Sequence, residues 1–195
     1  MFKIIWASIV YTFITLILTG IIYPCFVTFC AQMIFPYQAN GSFIKNDAGQ
    51  IVGSELIAQP FQNPIYFQPR PSAAGNGYDP TSSGGSNYAQ TSQKLLDRIS
   101  SDVARLQKEN PQAVGSIPVE LVTTSGSGLD PDLSPDGAEW QIPRVAAARG
   151  VTIERVKQVL DSAIDQPQFG FLGEPRVNVL KLNIALDHRF GVSSK

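Results

Sequence analysis

The chain has 195 residues, 44% of them apolar and only 16% charged, with 15 basic against 16 acidic side chains and a formal net charge of −1. Ordinary soluble domains carry about 25% charged residues, so part of this chain is built to avoid water. The near-neutral balance argues against a nucleic-acid partner, which would require a basic face. Lys3 is the only charged residue before Lys45, which divides the chain into an apolar N-terminal part and a remainder long enough for one compact domain.

Residues 4–35 form an uncharged run, and fourteen Ile, Leu, Val and Phe side chains fall between Ile4 and Phe29. Near a bilayer centre these favour insertion by about 4–8 kcal/mol, and about 20 residues suffice to cross the hydrocarbon core. Residues 1–35 are therefore predicted to be an uncleaved transmembrane anchor, because the run is too long for a signal-peptide core and Val27–Cys30 is a poor cleavage site. Ser8, Thr12, Thr15 and Thr19 can bond back to the preceding helical turn, and Pro24 is expected to kink or end the straight helix. By the positive-inside tendency, Lys3 and the terminal amine predict the N-terminus in the cytoplasm and residues 36–195 outside. Cys25 and Cys30 point about 140° apart on a helix, so neither a disulfide nor a metal site is expected from them.

Residues 36–195 read as one α+β extracytoplasmic domain. Ser42–Val52 suggests a hairpin turning through Asn46-Asp47-Ala48-Gly49. Residues 60–87 hold five prolines, four glycines and only two charges, Arg70 and Asp79. Phe61, Tyr66, Phe67 and Tyr78 mark that stretch as an ordered, packed loop rather than a disordered linker. A helix is predicted over Ser86–Asn110 and a buried strand over Val119–Val122. Pro135 and Pro143 each suit the start of a helix ending before Gly150, with Ser134 as a cap. Thr152 should cap a further helix carrying Ile153, Val156, Leu160 and Ile164. Alternation from Val177 to Ile184 predicts a strand.

Chemistry-bearing patterns are sparse. His188 is the single histidine and reads as a surface residue, and no Gly-x-Ser-x-Gly elbow presents a serine. Asp130, Asp132 and Asp136-Gly137 depart from the order of a calcium loop, since Ser134 replaces a carboxylate and Pro131 and Pro135 interrupt. Two glycine-rich stretches, 82–87 before the predicted helix and 123–128 after the predicted strand, could cradle a phosphate. Ser83, Gly84, Gly85 and Ser86 are the candidates for nucleotide contact, although neither stretch has the lysine of a P-loop.

Several stretches occur together in one order behind the anchor: Gly53–Gln59, Tyr66–Ala73, Ser83–Asn87, Val122–Pro131 with Gln141, Arg144-Val145-Ala146 and Arg149-Gly150, then Val177–Asn183. In this the chain resembles the C subunit of the Kdp-type potassium-transporting ATPase, with Ala58 departing from the glycine common in that family. The resemblance implies a non-catalytic subunit in the bacterial inner membrane. Its implied partners are a channel-like A subunit, a P-type ATPase B subunit, a small single-helix F subunit and the lipid bilayer. ATP and magnesium would act at the level of the complex, and the family's proposed role includes raising the B subunit's apparent affinity for ATP. With residues 82–87 outside the cell that effect would be indirect. Gln59, Tyr66, Phe67, Arg70, Ser125, Gly126, Ser127, Gly128 and Asp130 are the candidate interface residues. Two competing readings are a membrane-anchored nucleotide- or solute-binding module and a serine hydrolase using Ser125 or Ser127.

Overall fold

A computed structural model describes residues 1–46 and 49–191. The apolar run folds as one helix, Phe2–Ile34, which is a candidate membrane span. At about 1.5 Å per residue it is roughly 50 Å long, more than the hydrocarbon core requires. It comprises α1 (Phe2–Ile17), a π-helical turn (Leu18–Ile22) and α2 (Tyr23–Ile34). The expected break at Pro24 is thus replaced by a wider turn ahead of it, in which the Tyr23 N–H reaches back to Leu18 O. Proline clashes with the carbonyl four residues earlier, and opening the pitch by one residue relieves that clash while the helix continues. The hydroxyls of Ser8, Thr12, Thr15 and Thr19 donate to the carbonyls of Ile4, Ser8, Tyr11 and Thr15 at 2.7–2.9 Å.

The helix ends at Phe35, whose place before Pro36 disfavours helical backbone and which adopts φ −130°, ψ 57°. A single turn, α3 (Pro36–Ala39), leads into β1 (Phe43–Lys45), paired antiparallel with β2 (Ile51–Ser54). This is the expected hairpin; Asp47 and Ala48 of its expected turn lie outside the described residues. Ser54 Oγ donates to Gly41 O at 2.7 Å, and the Tyr37 hydroxyl donates to Ser42 O at 3.1 Å. Helix and hairpin, Met1–Ser54, form one compact unit, and the chain from Glu55 onward forms a second.

In the second unit, residues 55–92 contain no helix or strand, yet Phe67 and Ala74 are fully buried, as the aromatic punctuation predicts. The helix α4 spans Gln93–Glu109, beginning seven residues later than expected because Ser92, in extended backbone, is its N-cap. Its apolar face, with Ile99, Val103 and Leu106, packs on the core. Val119–Leu121 is a 3₁₀ turn, not a strand: Leu121 and Val122 donate back to Pro118 and Val119.

A small antiparallel sheet follows, ordered β3 (Asp132–Leu133), β5 (Arg176–Asn178), β4 (Ile164–Asp165). Leu133 and Ile164 both pair with Val177, which is fully buried. In place of one helix from either proline to Arg149 there are two, α5 (Pro135–Glu139), which starts at Pro135, and α6 (Ile142–Arg149), with Pro143 in its first turn; the Ser134 hydroxyl accepts from Gly137 N–H. Gly150 closes α6 in left-handed backbone, and Thr152 caps α7 (Ile153–Ser162).

The predicted strand Val177–Ile184 is a strand only up to Asn178. There the Asn178 side chain accepts from Lys181 N–H and starts helix α8 (Val179–Phe190). The buried set Val179, Leu182, Asn183 and Leu186 has helical spacing. Leu133, Val145, Val156, Leu160, Val177 and Leu182 belong to one core, each side chain stabilising the fold by about 1.5–3 kcal/mol.

Candidate functional site

Two neighbourhoods of the second unit gather most of the singled-out residues. The first holds segment 64–68, a turn running into irregular chain, against α6 and α8. Asn183 on α8 accepts from the Phe67 N–H at 2.8 Å and donates to the Phe67 carbonyl at 2.9 Å. Gln141, at the start of α6, does the same for Gln68, accepting from its N–H at 2.8 Å and donating to its carbonyl at 3.0 Å. Each side-chain amide presents the donor–acceptor pair that a neighbouring strand would supply.

Two arginines complete this clamp. Arg144 is buried and, among the described residues, in no ion pair; its guanidinium donates to the carbonyls of Pro64 and Tyr66 at 2.9 and 3.0 Å and to Gln141 Oε1 at 2.8 Å. Burial lowers its pKa to about 10, so it remains charged at neutral pH. Arg149 donates through Nε to Ile65 O at 2.7 Å, pairs with Asp187 at 2.8 Å and lies 5.2 Å from the centre of the Tyr66 ring. The Tyr66 hydroxyl in turn donates to Asp187 at 2.8 Å; burial, then that carboxylate, raises the phenol's pKa. Tyr66 and Phe67, both candidate interface residues, are thereby fixed by partners inside the domain.

The second neighbourhood joins the two glycine-rich stretches to each other. The Gly84 N–H and the Ser83 hydroxyl both donate to Ser127 O, at 2.8 and 2.9 Å, and the hydroxyls of Ser86 and Thr124 lie 3.2 Å apart. A Cβ added at Gly85 would sit 3.2 Å from Gly126 O, and one at Gly128 (φ +69°) only 2.6 Å from Gly84 O. Only glycine permits this approach of backbone to backbone. Ser125 and Ser127 turn their hydroxyls to the N–H groups of Gly128 and Leu129. Ser86 does not lead into a helix, since α4 begins at Gln93.

Arg70 and Asp130 link the flanks of these loops in an ion pair at 3.1 Å. The Tyr78 hydroxyl donates to Arg70 O at 2.8 Å, and burial pushes that phenol up to about 12. Beside Gln59, the Ala58 N–H donates to Leu129 O at 2.9 Å. Asp132 pairs with Arg176, and His188 is exposed on α8.

The clamp residues Gln141, Arg144, Arg149 and Asn183 received no role from the sequence, although all four stand within its recurrent stretches. Single polar residues on helices otherwise read as solvated. The arrangement leaves the Gly84 N–H already bonded to Ser127 O.

The family whose description reads K+-transporting ATPase, c chain (KdpC) matches residues 5–188. The potassium-transporting ATPase KdpC subunit of Myxococcus xanthus is 57% identical, over 91% of this chain and 84% of the relative. Proteins of the same name from Rhodopseudomonas palustris and Caulobacter vibrioides are each 53% identical, over 87% and 89% of this chain and 89% and 87% of their own lengths. With a match from residue 5 to residue 188 and relatives above half identity, the chain belongs to the KdpC family of potassium-transporting ATPase subunits.

Proposed function

We propose that this chain is a non-catalytic assembly subunit of a bacterial potassium-uptake pump. Its N-terminal helix crosses the inner membrane once, with the N-terminus in the cytoplasm and the remainder outside. It holds a channel-like A subunit, a P-type ATPase B subunit and a small F subunit together. The domain surface formed by residues 53–87 and 122–131 packs over the potassium entrance, through Gln59, Tyr66, Arg70, Ser125, Gly126 and their neighbours.

The observation that carries this reading is the mutual locking of the two glycine-rich stretches. The glycine-rich loops bonded to each other, and the segment 64–68 held by the amide–arginine clamp, are preorganised, which reduces the ordering cost of docking. Any gain in ATP affinity at the B subunit is then indirect, arising from differential contacts with two states of the pump.

Replacing the native chain by one truncated after Ser54 tests the proposal. The other subunits should separate on purification and potassium uptake should cease; unchanged uptake would refute it. Tight binding of ATP by the full chain alone, in the micromolar range or below, would instead favour a nucleotide-binding module.

A further inference from the structure

Between β4 and β5 the chain makes a turn over residues 166–175 whose tip is apolar. Phe169 is 86% exposed, Phe171 75%, and Leu172 lies beside them. The turn is ordered: Gln168 and Leu172 exchange two backbone hydrogen bonds of 2.9 Å, and the Gly170 N–H donates to Pro167 O at 3.0 Å. Phe169 is held at φ +54°, a backbone region that bulky side chains rarely adopt. The fold therefore maintains a strained backbone that leaves two aromatic rings in water. Strained positions and exposed apolar clusters of this kind concentrate at surfaces that meet a partner.

The turn itself carries acid and no base. Asp165 and Glu174 stand at its two ends, and among the described residues neither is in an ion pair, while Arg176, opposite Asp165 in the sheet, bonds Asp132. An anionic lipid surface is disfavoured by that charge. A protein recess that is apolar at its centre and cationic at its rim complements it, with aromatic anchors inside a charged border.

We propose that the Phe169–Leu172 tip docks into such a recess, lined by lysine or arginine at its edge, on another protein subunit of the potassium-transporting assembly. The inference rests on the reading of this chain as an assembly subunit and deepens it by naming the anchor and the chemistry of its receptor.

The test uses the full-length tagged chain, produced with the other subunits in membranes and purified under a fixed detergent and salt wash. Three variants are compared with the native chain: Phe169→Asn with Phe171→Ser, Glu174→Lys, and Val114→Ser as a similarly exposed apolar control in another loop. Asparagine tolerates left-handed backbone, so the double variant removes both rings without adding strain. The amount of each identified subunit retained per tagged chain should fall about ten-fold or more for the double variant. It should fall about three-fold for Glu174→Lys and remain unchanged for Val114→Ser.

Equal retention by the double variant and the native chain overturns the inference. So does a double variant that retains its partners but loses flotation with anionic phospholipid vesicles, which would make lipid the occupant. Should the double variant prove unfolded by its thermal transition, the surface change Glu174→Lys carries the decision. Native chain that retains no other subunit refutes the assembly reading and the tip together, whereas native retention matched by every variant refutes the tip alone.

Discussion

Asn183 and Phe67, 116 residues apart in the chain, exchange two hydrogen bonds, so that a helix side chain stands where a strand would otherwise pair. Removing it leaves a buried N–H and a buried carbonyl without partners. Asn183→Ala should lower unfolding free energy by about 2–4 kcal/mol in denaturant titration. It should also speed amide hydrogen exchange at residues 64–68 more than elsewhere. Uniform loss of protection would show that the amide does not hold this segment specifically.

Gly137 and Glu120 make a second coupled pair. A Cβ at Gly137 would fall 1.8 Å from Glu120 Oε1, and that carboxylate accepts from both the N–H and the hydroxyl of Ser134. Gly137→Ala must displace the carboxylate from these bonds, at a cost of about 1–3 kcal/mol. In a Glu120→Ala background the same substitution should cost much less, and thermal unfolding of the four chains measures the difference. Additive losses would contradict the contact.

Gly128 governs the approach of the two glycine-rich stretches. Alanine there would meet Gly84 O at 2.6 Å and Ala74 N at 2.8 Å in left-handed backbone. Gly128→Ala should destabilise the domain by about 2–4 kcal/mol and reduce recovery of the intact complex. Gly49→Ala, also at positive φ but with open space around it, separates strain from collision: it should cost about 1 kcal/mol and leave the complex intact.

Tyr78 supplies a pH signature. Its phenol, kept neutral by burial, titrates at about 12 in the folded chain against an ordinary value of 10.0. A group whose folded pKa is raised adds stability below its unfolded pKa and loses it as pH climbs to the folded one. Unfolding free energy should therefore drop between about pH 10 and 12, and Tyr78→Phe should flatten that part of the profile. Phenolate absorbance gives an independent reading: the substitution should delete one late-titrating tyrosine and leave the early ones unaltered.

Where one residue type forces one local outcome, the sequence was a sufficient guide. Pro135, Pro143, Ser134, Thr152 and Gly150 start, cap and stop helices as their backbone chemistry requires. The run Val177–Ile184 misleads because Leu180, Leu182 and Ile184 alternate with Lys181 and Asn183, while Val179, Leu182, Asn183 and Leu186 follow a helical repeat. A single cap, Asn178 to Lys181, decides between them. The early start assigned to α4 has a related cause: several serines precede its apolar face, and the one that serves as its N-cap, in extended backbone, is Ser92. The clamp was invisible because its pairs span 73 to 116 residues and join side-chain amides to backbone, which leaves no periodic trace. The glycine-rich stretches were legible as special backbone, but that they meet each other is a property of the tertiary fold alone.

The wide turn at Leu18–Ile22 has a geometric consequence for the long apolar helix. Each residue of an α-helix advances about 100° around its axis, so one inserted residue turns everything from Tyr23 to Ile34 by that angle relative to Phe2–Ile17. The row of Ser8, Thr12, Thr15 and Thr19 is therefore rotated away from Tyr23, Phe26 and Cys30, which an uninterrupted helix would align with it. Pro24 acts as an indexing notch. Deleting one residue at the notch would hardly shorten the rod, but it would swivel its exit half and present a different set of side chains to whatever surrounds it.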